Sequence, residues 1–191
     1  MNNKKRGVNS SRFPCKMEKR GQVWIETVVY TLIAFVLIAA VLTFARPKIE
    51  ELKDKAVVEQ TISMLKDLDD TILTLGIPGN QRVVTLGIDK GTLKIDGEND
   101  KLVFELDSNY AYGEEAEDIS EDGLVIRTDK KNDENHITIT RDYSGEYNLT
   151  FENLDKLKTI TSSPTSYNLI ILKGAAGEGE GSLPVVGFNL N

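Results

Sequence analysis

Cysteine and histidine are almost missing from this chain of 191 residues. Cys15 is the only thiol, which excludes an intramolecular disulfide and a cysteine-based zinc cluster. His136 is the only imidazole, so a His-rich metal or catalytic constellation is excluded too, and no nucleophile–base pairing can be placed around it. The glycine-rich stretch 174–181 lacks a following Gly-Lys-Ser/Thr, and Glu178 and Glu180 would repel a phosphate. It reads as a flexible loop. The acidic run Glu114–Asp118 with Glu121 and Asp122 has oxygen ligands for Ca²⁺ but lacks the spaced D-x-D-x-D-G pattern, so it reads as an exposed acidic loop. No cofactor and no enzymatic activity are expected.

Net positive charge is confined to one short region. Residues 1–21 hold seven cations against Glu18, a local balance of +6, and the rest of the chain sums to −13. An acidic body of this kind excludes nucleic acid as a partner, because a phosphate backbone needs a basic surface to release its counterions. Between Thr27 and Ala45 there is no charge at all. As a helix those 19 residues would span about 28 Å, close to the roughly 30 Å hydrocarbon core of a bilayer. A cleaved secretory signal would be shorter and would end at an A-x-A-like site, whereas this run passes directly into Arg46-Pro47-Lys48. The cations ahead of it put residues 1–21 in the cytoplasm and the C-terminal body outside the membrane by the positive-inside rule. Glu26 sits at the edge of the span, where an unpartnered carboxylate is costly.

The junction reads Lys19-Arg20-Gly21-Gln22-Val23-Trp24-Ile25-Glu26. Basic residues, a glycine, an apolar helix and a glutamate five residues past the glycine resemble the leader of archaeal type IV pilin-like proteins with a class III signal peptide. Gln22-x-x-x-Glu26 follows the start of the pattern Q-x-S-x-E-x-x-x-L, which the chain leaves at Trp24 and Tyr30. Archaellin and other pilin subclasses therefore both stay open. The resemblance covers residues 16–45. It implies that a prepilin peptidase cuts between Gly21 and Gln22, discarding Cys15 with the leader. It also implies that Glu26 pairs with the new α-amine of a neighbouring copy during assembly.

Beyond the span, Pro47 would kink a continuous helix or begin a new one. Ile49, Leu52, Ala56, Ile62, Leu65, Ile72 and Leu75 recur near every third or fourth position, with Val58 and Leu68 between. Glu50, Lys53, Asp54, Glu59, Lys66, Asp67 and Asp70 fill the other face, which predicts an amphipathic helix over 46–75 that ends at Gly76-Ile77-Pro78-Gly79. From Gln81 the period changes to two. Eight strand runs follow, around Val84–Ile88, Leu93–Ile95, Leu102–Leu106, Leu124–Thr128, Ile137–Arg141, Tyr147–Phe151, Asn168–Leu172 and Pro184–Leu190. Asp96-Gly97-Glu98-Asn99-Asp100 reads as a hairpin turn.

The expected fold is α+β, with a long N-terminal helix packed on an antiparallel β sheet, sandwich or barrel. Four segments result: a leader at 1–21, a transmembrane helix at 22–45, an amphipathic helix at 46–75 and an extracellular β domain at 76–191, expected to fold alone. Asn148-Leu149-Thr150 is an N-glycosylation sequon on the outer side. The expected function is a filament subunit for adhesion or motility, with the membrane, a prepilin peptidase and copies of itself as partners. The alternative is a single-pass anchored β domain that binds a ligand or a filament component without polymerising.

Overall fold

The computed structural model describes residues 19–132, 134–176 and 181–191, with side chains from Val23 onward. The chain is α+β and divides into two compact units at Pro47. Helix α1 (Lys19–Leu73) passes through that boundary. Pro47 lies inside it, where the missing N–H leaves the Thr43 carbonyl without its helical donor.

From Thr27 to Ala45 α1 is uncharged and apolar on every side. From Val23 the residues are exposed, with Ala45 half-buried. Three threonines deal with their hydroxyls locally: Thr27, Thr31 and Thr43 donate to the carbonyls of Val23, Thr27 and Ala39 at 2.8–3.0 Å. Such back-bonding leaves none of these three hydroxyls as a free donor on the apolar surface.

The second unit holds ten strands: β1 (Gln81–Leu86), β2 (Thr92–Asp96), β3 (Lys101–Ser108), β4 (Asp118–Glu121), β5 (Leu124–Lys131), β6 (Glu134–Asp142), β7 (Asn148–Phe151), β8 (Leu157–Thr161), β9 (Tyr167–Ala176) and β10 (Pro184–Leu190). They form a four-stranded sheet, β1-β9-β10-β7, and a six-stranded sheet, β4-β5-β6-β3-β2-β8. Every pairing in the larger sheet is antiparallel. In the smaller one β7 and β10 run parallel, an arrangement that alternation of apolar residues gave no sign of. The β2–β3 turn is held by Asp96, whose Oδ1 accepts from the N–H groups of Glu98 and Asn99 at 3.0 and 3.1 Å. Gly97 is required there, since a Cβ would stand 2.7 Å from the Leu149 carbonyl.

The eight expected runs all appear as strands, and β4 and β8 are additional. These two are the edges of the larger sheet. An edge strand has one neighbour and buries little, so its sequence carries little alternation. Asp-Ile-Ser-Glu and Leu-Lys-Thr-Ile-Thr have that character, with Ile160 the only fully buried side chain among them. The acidic run at 114–122, expected as a loop, is therefore partly strand. The Gly174–Gly181 loop lies partly outside the described residues, and Gly174 to Ala176 belong to β9.

A single hydrophobic core joins α1 to both sheets. It contains Val58, Ile62, Leu65, Leu68, Ile72 and Leu75 of the helix and its C-terminal end, with Phe104, Ile126, Ile139, Ile171 and Phe188 among the strand residues. Ile49, Leu52 and Ala56, expected in the same stripe, are exposed instead, Leu52 by 65%. Nine positions separate Ile49 from Val58, about two and a half turns at 3.6 residues each, so the two stand on opposite faces. Spacings of three and four drift around the helix over that distance.

Candidate functional site

The site indicated by the sequence lies on the first half of α1. Gly21 and Gln22 are helical in their backbone, and the leader ahead of Lys19, with Cys15, lies outside the described residues. Glu26 follows one turn after Gln22. It is exposed, and its nearest polar partner is Tyr30, whose hydroxyl donates to Oε1 at 3.5 Å. That is the long limit of a hydrogen bond, and it leaves most of the carboxylate's accepting capacity free. Around it Val23, Trp24, Ile25, Val28 and Val29 are exposed, Trp24 by 76%. The helix is long and apolar enough to cross a membrane, and none of its most apolar window is buried.

Asn148, the sequon asparagine, opens β7 and is half-buried beside a groove of about 340 Å³ that Glu98, Asp100 and Asp155 also line. Thr150 is buried, and its hydroxyl has no hydrogen-bond partner. Transfer of a glycan needs both residues reachable, so it would have to precede the closing of β7. No group of three or more His, Cys, Asp or Glu side chains suited to a metal ion occurs among the described residues. His136 and Asp107 face each other across β6 and β3, with Nδ1 2.7 Å from the carboxylate. The imidazole beside Asp107 holds that carboxyl below the ordinary carboxylate range.

Three polar clamps fasten α1 to the larger sheet, and they escape a reading by period alone. Asp54 is buried and receives Lys90 Nζ at 2.9 Å, the Asn109 N–H at 2.7 Å and its side-chain amide at 2.9 Å. Burial pushes the Asp54 carboxyl up, but these donors outweigh it and hold the group below its usual value. Asp69, also buried, accepts from Arg141 Nε and the Tyr143 hydroxyl, both at 2.9 Å. Burial, with Asp69 adjacent, drives the Tyr143 phenol far up. Lys66 reaches Glu121 and Asp122, both at 2.7 Å. Tyr112 donates to the same Glu121 at 2.7 Å, and that bond raises its phenol to about 12.

Asp54 was expected on the solvent face, and Asp69 was assigned no face. Their positions carry a signal all the same. Asp69 is four residues after Leu65 and three before Ile72, and Asp54 is four before Val58, so both share the apolar stripe.

No family model, no curated protein and no solved structure matches this chain.

Proposed function

We propose that the chain is a type IV pilin-like subunit of a cell-surface filament, serving adhesion or motility, and that it assembles through its N-terminal helix once a prepilin peptidase has removed residues 1–21. The observation that carries this reading is an exposed, uncharged helical span interrupted at its start by Glu26, directly after the Arg20-Gly21 junction. An apolar surface of that extent needs lipid first and other helices after extraction from lipid. Cleavage supplies what the carboxylate lacks, a cationic α-amine on Gln22 one turn away in register. A neighbour displaced along the helix axis brings its own amine to Glu26, and repetition of that heterologous contact builds an open filament. The compact unit from Pro47 onward is then displayed outside the membrane. Ile49, Leu52 and Ala56 add exposed apolar side chains to the helix of this unit, on the face turned away from its core.

The reading is tested by the mature N-terminus and by Glu26→Gln. Peptide mass spectrometry of membrane-extracted protein should find Gln22 first, free or cyclised, and Gly21→Val should block the cut. Glu26→Gln should be cleaved and membrane-bound yet poorly assembled. Removing one partner of a buried ion pair costs about 3–5 kcal/mol, some two to three decades in an association constant. Sheared filaments counted by electron microscopy read the difference. Equal yields from variant and wild type would remove Glu26 from the mechanism. Uncleaved protein would favour the anchored β domain, and cleaved protein without filaments in the wild type a minor pilin.

A further inference from the structure

The two edges of the six-stranded sheet are unlike each other in charge. Alongside β4, the segment 114–122 presents six carboxylates, and the cations paired with them are Lys66 and Arg127. Glu114, Glu115 and Glu117 are exposed and have no ion-pair partner among the described residues. The β8 edge carries Lys158 and no acid from Leu157 through Thr161, while Lys156 just ahead of it pairs with Glu152 at 2.8 Å. Lys158 rests over the Phe151 ring at 5.1 Å, and no carboxylate pairs with it among the described residues. Leu157 beside it is 52% exposed.

Both edges have unused backbone. Apart from the ladder to β5, no backbone hydrogen bond of Asp118–Glu121 occurs among the described residues, and the same holds for Leu157–Ile160 apart from the ladder to β2. A strand edge in this state is a template for another strand. Like charges oppose pairing of β4 with β4 or of β8 with β8 across a two-fold axis. Only the unlike pairing is favoured by charge.

We propose that β8 of one copy pairs antiparallel with β4 of the next, joining the β domains of neighbouring subunits head to tail. The partner is a second copy of this chain, and the inference rests on the assembly reading in supposing that copies meet side by side on one surface. The topology suits it. Five successive antiparallel pairings leave β4 and β8 running in opposite directions. A copy added in the same orientation therefore continues the antiparallel alternation. The sheet twist turns each added block, so the series is helical and open.

Side-chain alternation fixes the register. Ile119 lies opposite Ile126 and Ile160 opposite Leu93, which places both isoleucines on the core face of their own sheet. Setting Ile160 against Ile119 matches apolar to apolar and brings Lys158 opposite Glu121. A shift of two residues in either direction loses both matches. In this register Thr159 and Ser120 are direct partners on the outer face, and both are exposed. Directly opposed residues of an antiparallel pair have Cα atoms about 4.5–5.5 Å apart, within the range of a disulfide.

The test uses the full-length chain in its membrane with Cys15→Ser, so that introduced thiols are the only ones. Ser120→Cys and Thr159→Cys are placed singly and together on exposed outer-face positions, and the membranes are oxidised with copper phenanthroline. The double variant should lose its monomer band into a ladder of dimer, trimer and higher species. Each single variant should stay monomeric, and a mixture of the two should give dimer alone. Dimers from either single variant would mean a two-fold contact and would overturn the proposal, as would the absence of any product from the double variant. A ladder on cells without filaments would leave the edge pairing standing and remove the filament, whereas filaments without a ladder would do the reverse.

Discussion

Asp69 shows how much one carboxylate can hold in place. Its Oδ1 takes the Arg141 guanidinium and the Tyr143 hydroxyl together, and the Arg141 guanidinium carbon stands 4.5 Å from the centre of the Tyr143 ring. Burial works against the charge of Arg141, yet Asp69, helped by Glu146 at 3.2 Å, outweighs it and keeps the guanidinium more basic than usual. Asp69→Ala would leave the Tyr143 phenol without its acceptor in the core and the Arg141 guanidinium with only Glu146 and the Asp142 carbonyl. The expected loss is about 3–5 kcal/mol, or roughly 10 °C in the thermal midpoint of a unit this size. Near-ultraviolet dichroism of the tyrosines in detergent reads it, and a change within 2 °C (roughly 1 kcal/mol or less) would show that the cluster contributes little. Gly91 is a second sensitive position. Its φ is +95°, and a Cβ would fall 2.6 Å from both the Glu105 carbonyl and the Phe104 ring. Gly91→Ala should therefore destabilise by more than the roughly 1 kcal/mol typical of a point substitution, measured by the same melt.

At the scale of the element, α1 changes its task along its length. From Thr27 to Ala45 its surface is apolar without preference for a side. From Val58 the apolar side chains other than Leu73 turn toward the core, while Ile49 and Leu52 still face away. The two leucines make the distinction measurable. Leu65→Ala opens a cavity in the core and should cost about 2–5 kcal/mol, whereas Leu52→Ala should stay within roughly 0.5 kcal/mol. If the exposed strip is part of the assembly surface, Leu52→Ala should still lower filament yield at unchanged melting temperature. A large stability loss from Leu52→Ala would place that residue in the fold rather than on the surface.

For the whole molecule, the shared core sets where the chain can be divided. Six of its residues come from Val58–Leu75. A fragment over 47–191 should melt cooperatively, and one over 76–191, expected from its strand runs to fold alone, should instead bind a hydrophobic dye and show no cooperative transition, because its sheets lose their helical cover. Cooperative melting of 76–191 would show that the strands suffice. Acid should weaken the larger unit through Asp54. A carboxyl held below its ordinary value of 3.8 in the fold stabilises fully above that value, and the contribution fades as pH falls through the folded value. The midpoint should therefore be level from neutral pH down to about 5 and drop below 4. Asp54→Asn should flatten the part of that slope due to this residue, since an amide does not titrate there.

The sequence by itself determined what depends on local composition. A run without charge from Thr27 to Ala45 has to be an apolar helix, because nothing else satisfies its backbone away from water. The alternations at Leu93-Lys94-Ile95 and Leu102-Val103-Phe104 can bury one face only as strands. The turn at Asp96–Asp100 follows from its own side chains. Tertiary structure decided the rest. Strands β4 and β8 exist because β5 and β2 offer them a ladder, and their own residues state no strong preference. Asp54 and Asp69 are buried because Lys90, Asn109, Arg141 and Tyr143 arrive from strands and loops that lie 36 to 74 positions away. Partners at that separation leave no trace in a local period, so a charge in an apolar stripe reads as surface until the fold brings its counterpart to it.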